Sequence, residues 1–434
     1  MEQRYARQQL LSGWDQRRLT DATLAIAGSG PLAFMTGLMA VAMGFGRLVM
    51  LGADLPRGLK IALAGSWSGL YRRINPQARV YAAPTRLSLP LLRRLPALDG
   101  LVVAGNDLEA HGVAQKAAQE LSIPVVAGAT AGRLGIWGRA EPNPALARLC
   151  AFREFPLLSQ VVAGLLVEEM RKALLPIAGE AGPTDRSNYL RLPAAPSYLR
   201  QGRLERATAG RSLAMVGAGA LGTWFGLALG MAGLPIALHL YDDDEVSETN
   251  LNRQVLFFDA VGQNKATVLA ERLQGLFPHL KVYGYGVKAN QGTNEYLTEH
   301  PIMVACPDNF AARAFLNGLA QKRGRMLVSG GTSATGGSCL LYETGHTACL
   351  SCRLRIDQLA EREAAPQSCA QQVQPSIVTS NAMVGALMAW LLYERLSTGR
   401  AEGGMWEYDG RPQHTRLSLH SGWPACQCHR AIRR

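Results

Sequence analysis

The chain has 434 residues and a mass of 46.7 kDa, with 48% hydrophobic and 18% charged residues, a balance that buries a large core and excludes a mainly disordered or acidic-tail protein. At roughly 150 residues per domain this length predicts two or three domains. The net charge of +12 favours anionic partners such as nucleotides, yet only seven basic residues are Lys and the Arg residues are scattered, without the basic runs of a nucleic-acid arm, so no nucleic-acid partner is expected.

Residues 1–18 are charged and lack the apolar stretch of a secretory signal, which predicts a cytoplasmic protein whose eight Cys are thiols or ligands. Two apolar stretches follow, 24–53 and 213–241. Each is long enough to imitate a membrane span, but each is interrupted by several Gly and by Pro31 or Pro235. A strand, a glycine turn, a helix and a second strand ending at Asp54 or Asp242 explain these interruptions, and no membrane segment is expected. The two stretches are copies of one plan, because Leu24-Ala-Ile-Ala-Gly-Ser-Gly30 answers Leu213-Ala-Met-Val-Gly-Ala-Gly219. Strands at 100–104 and 123–127 and a helix at 157–175 complete the first copy, and strands at 302–305 and 326–329 repeat the pattern in the second. Between them, 176–211 is rich in Pro, Gly and Arg and reads as a linker. The expected fold is α/β, with two parallel-sheet cores covered by helices.

Gly217-x-Gly219-x-x-Gly222 follows a strand and opens a helix, so backbone N–H groups and the helix N-terminus can approach a phosphate. Alone it fits a nicotinamide site as well as an ATP site, with Asp242 on a ribose hydroxyl in either. The following residues separate those readings: Asp242-Asp-Asp244, then Asn250-Leu-Asn-Arg253-Gln254, Gly262-Gln-Asn-Lys265, and Asp308-Asn309 with Arg313. In this order they resemble the ubiquitin-activating enzymes and their bacterial relatives of the ThiF/MoeB/HesA superfamily, the adenylyltransferases that activate sulfur carriers.

The resemblance implies two tandem Rossmann-like domains forming a pseudo-dimer. Residues 1–176 would be a degenerate adenylation domain, 177–211 a linker, and 212–434 the active domain with a zinc-bound C-terminal subregion. It places Asp242 on the ribose and Asp308 on Mg2+. Gly217, Gly219, Gly222, Asp244, Asn250, Arg253, Gln254 and Lys265 would surround the ATP. Adenylation needs cations around the attacked α-phosphorus, which Arg253 and Lys265 would supply. Arg4-Tyr-Ala-Arg7-Gln8 is similar to the segment that reaches into the partner's site in homodimeric relatives, making Arg7 a finger across the pseudo-twofold. The first half keeps Gly28-Ser-Gly30 but lacks the Asn-Leu-x-Arg-Gln and Gly-x-x-Lys motifs, so one catalytic site per chain is expected.

In the tail, Cys349-x-x-Cys352 and Cys426-x-Cys428 are the makings of a closed structural Zn2+ site or a set of reduced thiols, and His429 adjoins as an alternative ligand. The resemblance makes Cys369, ahead of an apolar helix at 377–395, the nucleophile that captures the activated carboxylate as a thioester. Cys150, Cys306 and Cys339 read as core packing. The turn 330–337 lacks the Lys of a phosphate loop and reads as a floor or crossover element. The implied function is ATP-dependent activation of a β-grasp, ubiquitin-like protein ending in Gly. That protein would pass to a conjugating-enzyme-like partner, in the manner of bacterial antiphage operons; sulfur-carrier activation of the molybdopterin or thiamine type is the alternative.

Overall fold

The computed structural model describes residues 3–52, 66–95, 97–192, 210–364, 374–399, 404–411, 416–420, 426 and 428. These residues build two sheets of the same plan. The first contains β1 (Thr23–Ala27), β2 (Arg47–Leu51), β3 (Arg79–Ala83), β4 (Gly100–Ala104), β5 (Val125–Ala131), β6 (Leu134–Arg139) and β7 (Ser187–Arg191), in the order β3-β2-β1-β4-β5-β6-β7. The second contains β8 (Ser212–Val216), β9 (Ala237–Tyr241), β10 (Lys281–Tyr285), β11 (Ile302–Ala305), β12 (Met326–Thr332), β13 (Gly336–Tyr342), β14 (Met405–Asp409) and β15 (Arg416–His420), in the order β10-β9-β8-β11-β12-β13-β14-β15. The first five strands of each sheet are parallel and the rest antiparallel. Strand order therefore reverses between β1 and β4, and again between β8 and β11. These are the switch points at which open α/β sheets bind ligands.

The elements follow from the local sequence. All five residues of β1 are buried, as expected for a parallel strand covered on both faces. Pro31 occupies the first turn of the helix Gly30–Met43, where a missing N–H costs nothing, and Gly44 ends that helix at φ 100°. Helix Ala220–Ala232 repeats the arrangement and ends at Gly233 with φ 68°. The expected helices at 157–175 and 377–395 are found at Pro156–Leu174 and Val378–Thr398, the strand expected at 123–127 is β5, and β12 extends the one expected at 326–329. Asp54 lies outside the described residues, and β2 ends at Leu51.

One sequence expectation changes. Strand β7 falls inside the segment read as linker, where it pairs antiparallel with β6. Only Leu190 of its five residues is buried, so no alternation marked it.

The halves share one apolar core in which Met35 and Leu166 of the first cluster with Trp224, Met383 and Trp390 of the second. Close helix crossing rests on glycines. A Cβ on Gly385 would lie 2.8 Å from the Phe225 backbone N, and one on Gly164 would lie 2.5 Å from Met383 Cγ. Gln160 reaches across, its Nε2 donating to the carbonyls of Trp224 at 3.1 Å and Ala382 at 2.9 Å. Among the described residues no helix is long and apolar enough to cross a membrane.

Candidate active site

The glycine turn at the β8/β11 switch point has its shape because side chains do not fit there. Gly217 holds φ 96°, and a Cβ on it would lie 2.6 Å from the carbonyl oxygen of Cys306. A Cβ on Gly222 would lie 2.2 Å from the Gly217 oxygen, so Gly222 lets the helix pack against the turn. Gly219, at the mouth, faces open space with only Gln254 Nε2 at 3.7 Å. Behind the turn, Asp242 accepts the N–H of Ala218 at 2.6 Å and of Asp244 at 2.9 Å, while burial raises its carboxyl above the usual range. The turn, its helix N-terminus and an acid at the end of the second strand thus stand together.

The loop 247–254 supplies the cations. Asn250 caps its own 3-10 turn by accepting the Ser247 N–H at 3.0 Å. Arg253, 5% exposed, donates to the Thr249 carbonyl at 2.6 Å and Asn252 Oδ1 at 2.8 Å, and its own carbonyl accepts from Trp224 Nε1 at 2.9 Å. The N-terminal segment is fastened to this loop: Asn252 Nδ2 donates to Gln8 Oε1 at 2.9 Å, and Arg4 donates to the carbonyls of Ile74 and Leu251. Arg7 is thereby brought beside Arg253. Burial first, then the charge of Arg7, push the Arg253 guanidinium down to about 9, against the pull of Asp308. Arg7 Nε and Gln254 Oε1 are buried without a hydrogen-bond partner. Buried polar groups of this kind are ordinarily paired, so the Arg7 donor is left for an anionic guest and the Gln254 acceptor for a hydrogen-bond donor.

Lys265 opens the helix Lys265–Leu276, which Asn264 caps, and its ammonium pairs with the exposed Asp244 at 2.7 Å. Asp308 is exposed at the end of β11, ahead of the helix Phe310–Arg323 capped by Asn309. Its free carboxylate, opposite the Arg253 charge, fits a hard cation such as Mg2+. Arg313 turns inward instead and braces the floor, donating to the carbonyls of Pro307 and Gly330 and to Ser329 Oγ. Glu363, unmarked by any motif, accepts the Phe310 N–H at 2.7 Å and the Ala311 N–H at 3.1 Å. The turn 330–337 is the β12–β13 hairpin, tied to helix Val378–Thr398 by Ser380 Oγ on the Ser333 carbonyl at 3.0 Å.

Cys349, Cys352, Cys426 and Cys428 come together with all four sulfurs within 4.8 Å of one another. Cys428 Sγ lies 3.8 Å from Cys349 Sγ and 3.3 Å from Cys352 Sγ. Tetrahedral Zn–S bonds of about 2.3 Å require sulfurs roughly 3.8 Å apart, so the thiols fit zinc without a fifth donor. His429 and Cys369 lie outside the described residues. Burial pushes the Cys150 thiol up to about 11, the Cys306 thiol to about 12 and the Cys339 thiol higher still. These three are inert packing groups at neutral pH.

A profile described as the ThiF family matches residues 189–429. A sulfur carrier protein adenylyltransferase of Thermus thermophilus is 33% identical over 193 residues, covering 44% of this chain and 69% of that protein. The adenylyltransferase and sulfurtransferase MOCS3 of Sus scrofa is 31% identical over 203 residues, 45% of this chain and 44% of that one. Ubiquitin-like modifier-activating enzyme 5 of Oryza sativa is 31% identical over 159 residues, 32% of this chain and 37% of that one. The chain thus spans less than half the length of the last two. Among solved structures, E. coli MccB with ATP is similar over 52% of this chain and 68% of that one, at 20% identity and a TM-score of 0.44.

Proposed function

The chain belongs to the ThiF family, and on that premise we propose that its second half adenylates the C-terminal carboxylate of a small β-grasp protein, of the sulfur-carrier or ubiquitin-like kind. The observation that carries the reading is the buried Arg253 on the loop beside the glycine turn, where Gln254 Nε2 lies 3.7 Å from a Cβ on Gly219 and the charge of Arg7 bears on the Arg253 guanidinium at a cost. A triphosphate would repay that cost. Its phosphates would meet the N–H groups of the helix Ala220–Ala232, Arg253 and Lys265, with Asn250 and Gln254 ordering the loop and Asp242 and Asp244 on the ribose side. Mg2+ held by Asp308 would neutralise charge on the departing pyrophosphate. A carboxylate oxygen of the carrier attacks the α-phosphorus, the bond to the bridging oxygen breaks, and pyrophosphate leaves. Arg7 and Lys265 stabilise the charge that builds on the α-phosphate oxygens.

In the finer reading, the thiolate of Cys369 then attacks the acyl carbon and AMP departs, leaving a thioester for a conjugating-enzyme-like partner. Elimination supports Cys369, since four of the other cysteines stand together in a cluster that fits Zn2+ and burial raises the thiols of the other three. The first half, whose sheet runs on to β7, contributes Arg7 and a packing surface, and the active half is 212–434. An antiphage conjugation operon is the setting we favour. Sulfur-carrier activation is the second reading, favoured by the names of the first two relatives above.

Intact mass spectrometry of the chain incubated with Mg-ATP and a β-grasp protein ending in Gly separates the two. A reductant-labile adduct that disappears in Cys369→Ala supports the thioester route. Adenylate without any adduct gives the reaction to the sulfur-carrier route.

A further inference from the structure

At the switch point of the first half lies a cavity of about 970 Å3, bordered by Gly28, Gly30, Asn106, Arg86 and Arg153 and closed on one side by Met231, Phe277 and His279 of the second half. It is the pseudo-symmetric counterpart of the nucleotide site in the second half. Here one side chain stands where the second half is open. Glu154 Oε2 accepts the N–H of Leu32, in the first turn of helix Gly30–Met43, at 2.7 Å, and the Ser159 hydroxyl at 3.4 Å. A Cβ on Gly30 would lie 3.4 Å from the carboxyl carbon and from both oxygens, and a Cβ on Gly105 would lie 3.3 Å from Oε1. The carboxylate therefore lies flat against the glycine turn and bridges the two strand ends that frame the switch point. Among the described residues it has no Lys or Arg partner within ion-pair distance. In the second half, by contrast, a Cβ on Gly219, the counterpart of Gly30, would meet only Gln254 Nε2 within 4 Å, at 3.7 Å, and no carboxylate.

We propose that Glu154 occupies the phosphate seat of a latent nucleotide site in the first half, so that the folded chain takes nucleotide in the second half alone. A planar carboxylate on a helix N–H is a fair copy of one edge of a phosphate, and a phosphate cannot share that N–H with it. Arg153 borders the cavity, as do Arg86, paired with Glu109 at 3.3 Å, and Asp107, so the side of the remaining lining at Arg153 suits an anion. The inference rests on the nucleotide reading of the second half for its comparison, so its test first silences that half.

The test is equilibrium dialysis of a nonhydrolysable ATP analogue against the full chain carrying Lys265→Ala alone, with Glu154→Ala, or with Glu154→Gln, each checked for cooperative melting. Glu154→Ala is expected to bind the analogue at least tenfold more tightly than Lys265→Ala alone. Glu154→Gln, equal in size and still able to accept the Leu32 N–H, is expected to stay at the Lys265→Ala level. Binding by the Ala variant no tighter than by Lys265→Ala overturns the proposal, as does a second equivalent bound by the wild-type chain. Should the Ala variant lose its cooperative transition, photolabelling of the wild-type chain with an azido analogue decides: label confined to peptides of 212–434 upholds the proposal, and label between 28 and 154 overturns it. Failure of the wild-type chain to bind any analogue would overturn the nucleotide reading of the second half, while the Ala comparison still reports on Glu154.

Discussion

The charge of Arg7 bears on the buried Arg253 guanidinium, and Lys265 leans on an exposed aspartate. Removing a preorganised donor of this kind typically lowers turnover by ~10²–10³. Arg7→Ala is therefore predicted to reduce carrier-dependent pyrophosphate exchange by about two orders of magnitude, seen in kcat more than in KM, because the finger counts most where charge develops. Glu154 yields a pH prediction. Burial lifts its carboxyl from an ordinary 4.5 to about 7, against the pull of the Leu32 N–H and the Ser159 hydroxyl. Between those values the folded chain holds a proton that the unfolded chain has lost, so stability falls as pH rises through this window, by about 3 kcal/mol at most. Glu154→Gln is thus expected to melt higher than wild type at pH 8 and by much less at pH 5; an equal difference at both values contradicts the assignment. The residues that gather at the second switch point were legible because they lie in short contiguous motifs. Glu154 was not, since it acts on a residue 122 positions away and carries no local signature.

At the scale of elements, the cysteine cluster joins the short helix Leu350–Leu354 to the chain end. The purified protein is predicted to contain one zinc per chain by elemental analysis, and Cys352→Ser to lose it together with several degrees of melting temperature. A metal-free wild type with an unchanged melting point would refute the site. The long helix Val378–Thr398 packs on Ala220–Ala232 through Gly385, where a methyl group meets backbone rather than a movable side chain. Overpacking of this kind costs ~1–3 kcal/mol, so Gly385→Ala should lower thermal stability measurably. The parallel strands were readable from their apolar runs. Strand β7, with one buried residue, hid in a Pro- and Arg-rich segment until its pairing with β6 supplied what its composition withheld.

The whole molecule is two copies of one plan. A buried network ties them together, with Arg171 on Glu168 at 2.5 Å and Glu180 at 2.6 Å, while Thr379 of the second half donates to Glu168 at 3.0 Å. The tandem repeat was visible in the two glycine turns, but the interlocking of the halves was not, because it depends on side chains far apart in sequence meeting in one core. The N-terminal segment is fastened to the 247–254 loop of the second half through Arg4 and Gln8. The most direct measurement is ATP–pyrophosphate exchange by the full chain, with and without a β-grasp protein ending in Gly. Exchange is predicted to require the carrier, to survive Cys369→Ala and to be lost in Lys265→Ala. Exchange that is absent, or that persists undiminished in Lys265→Ala, would contradict the proposed function.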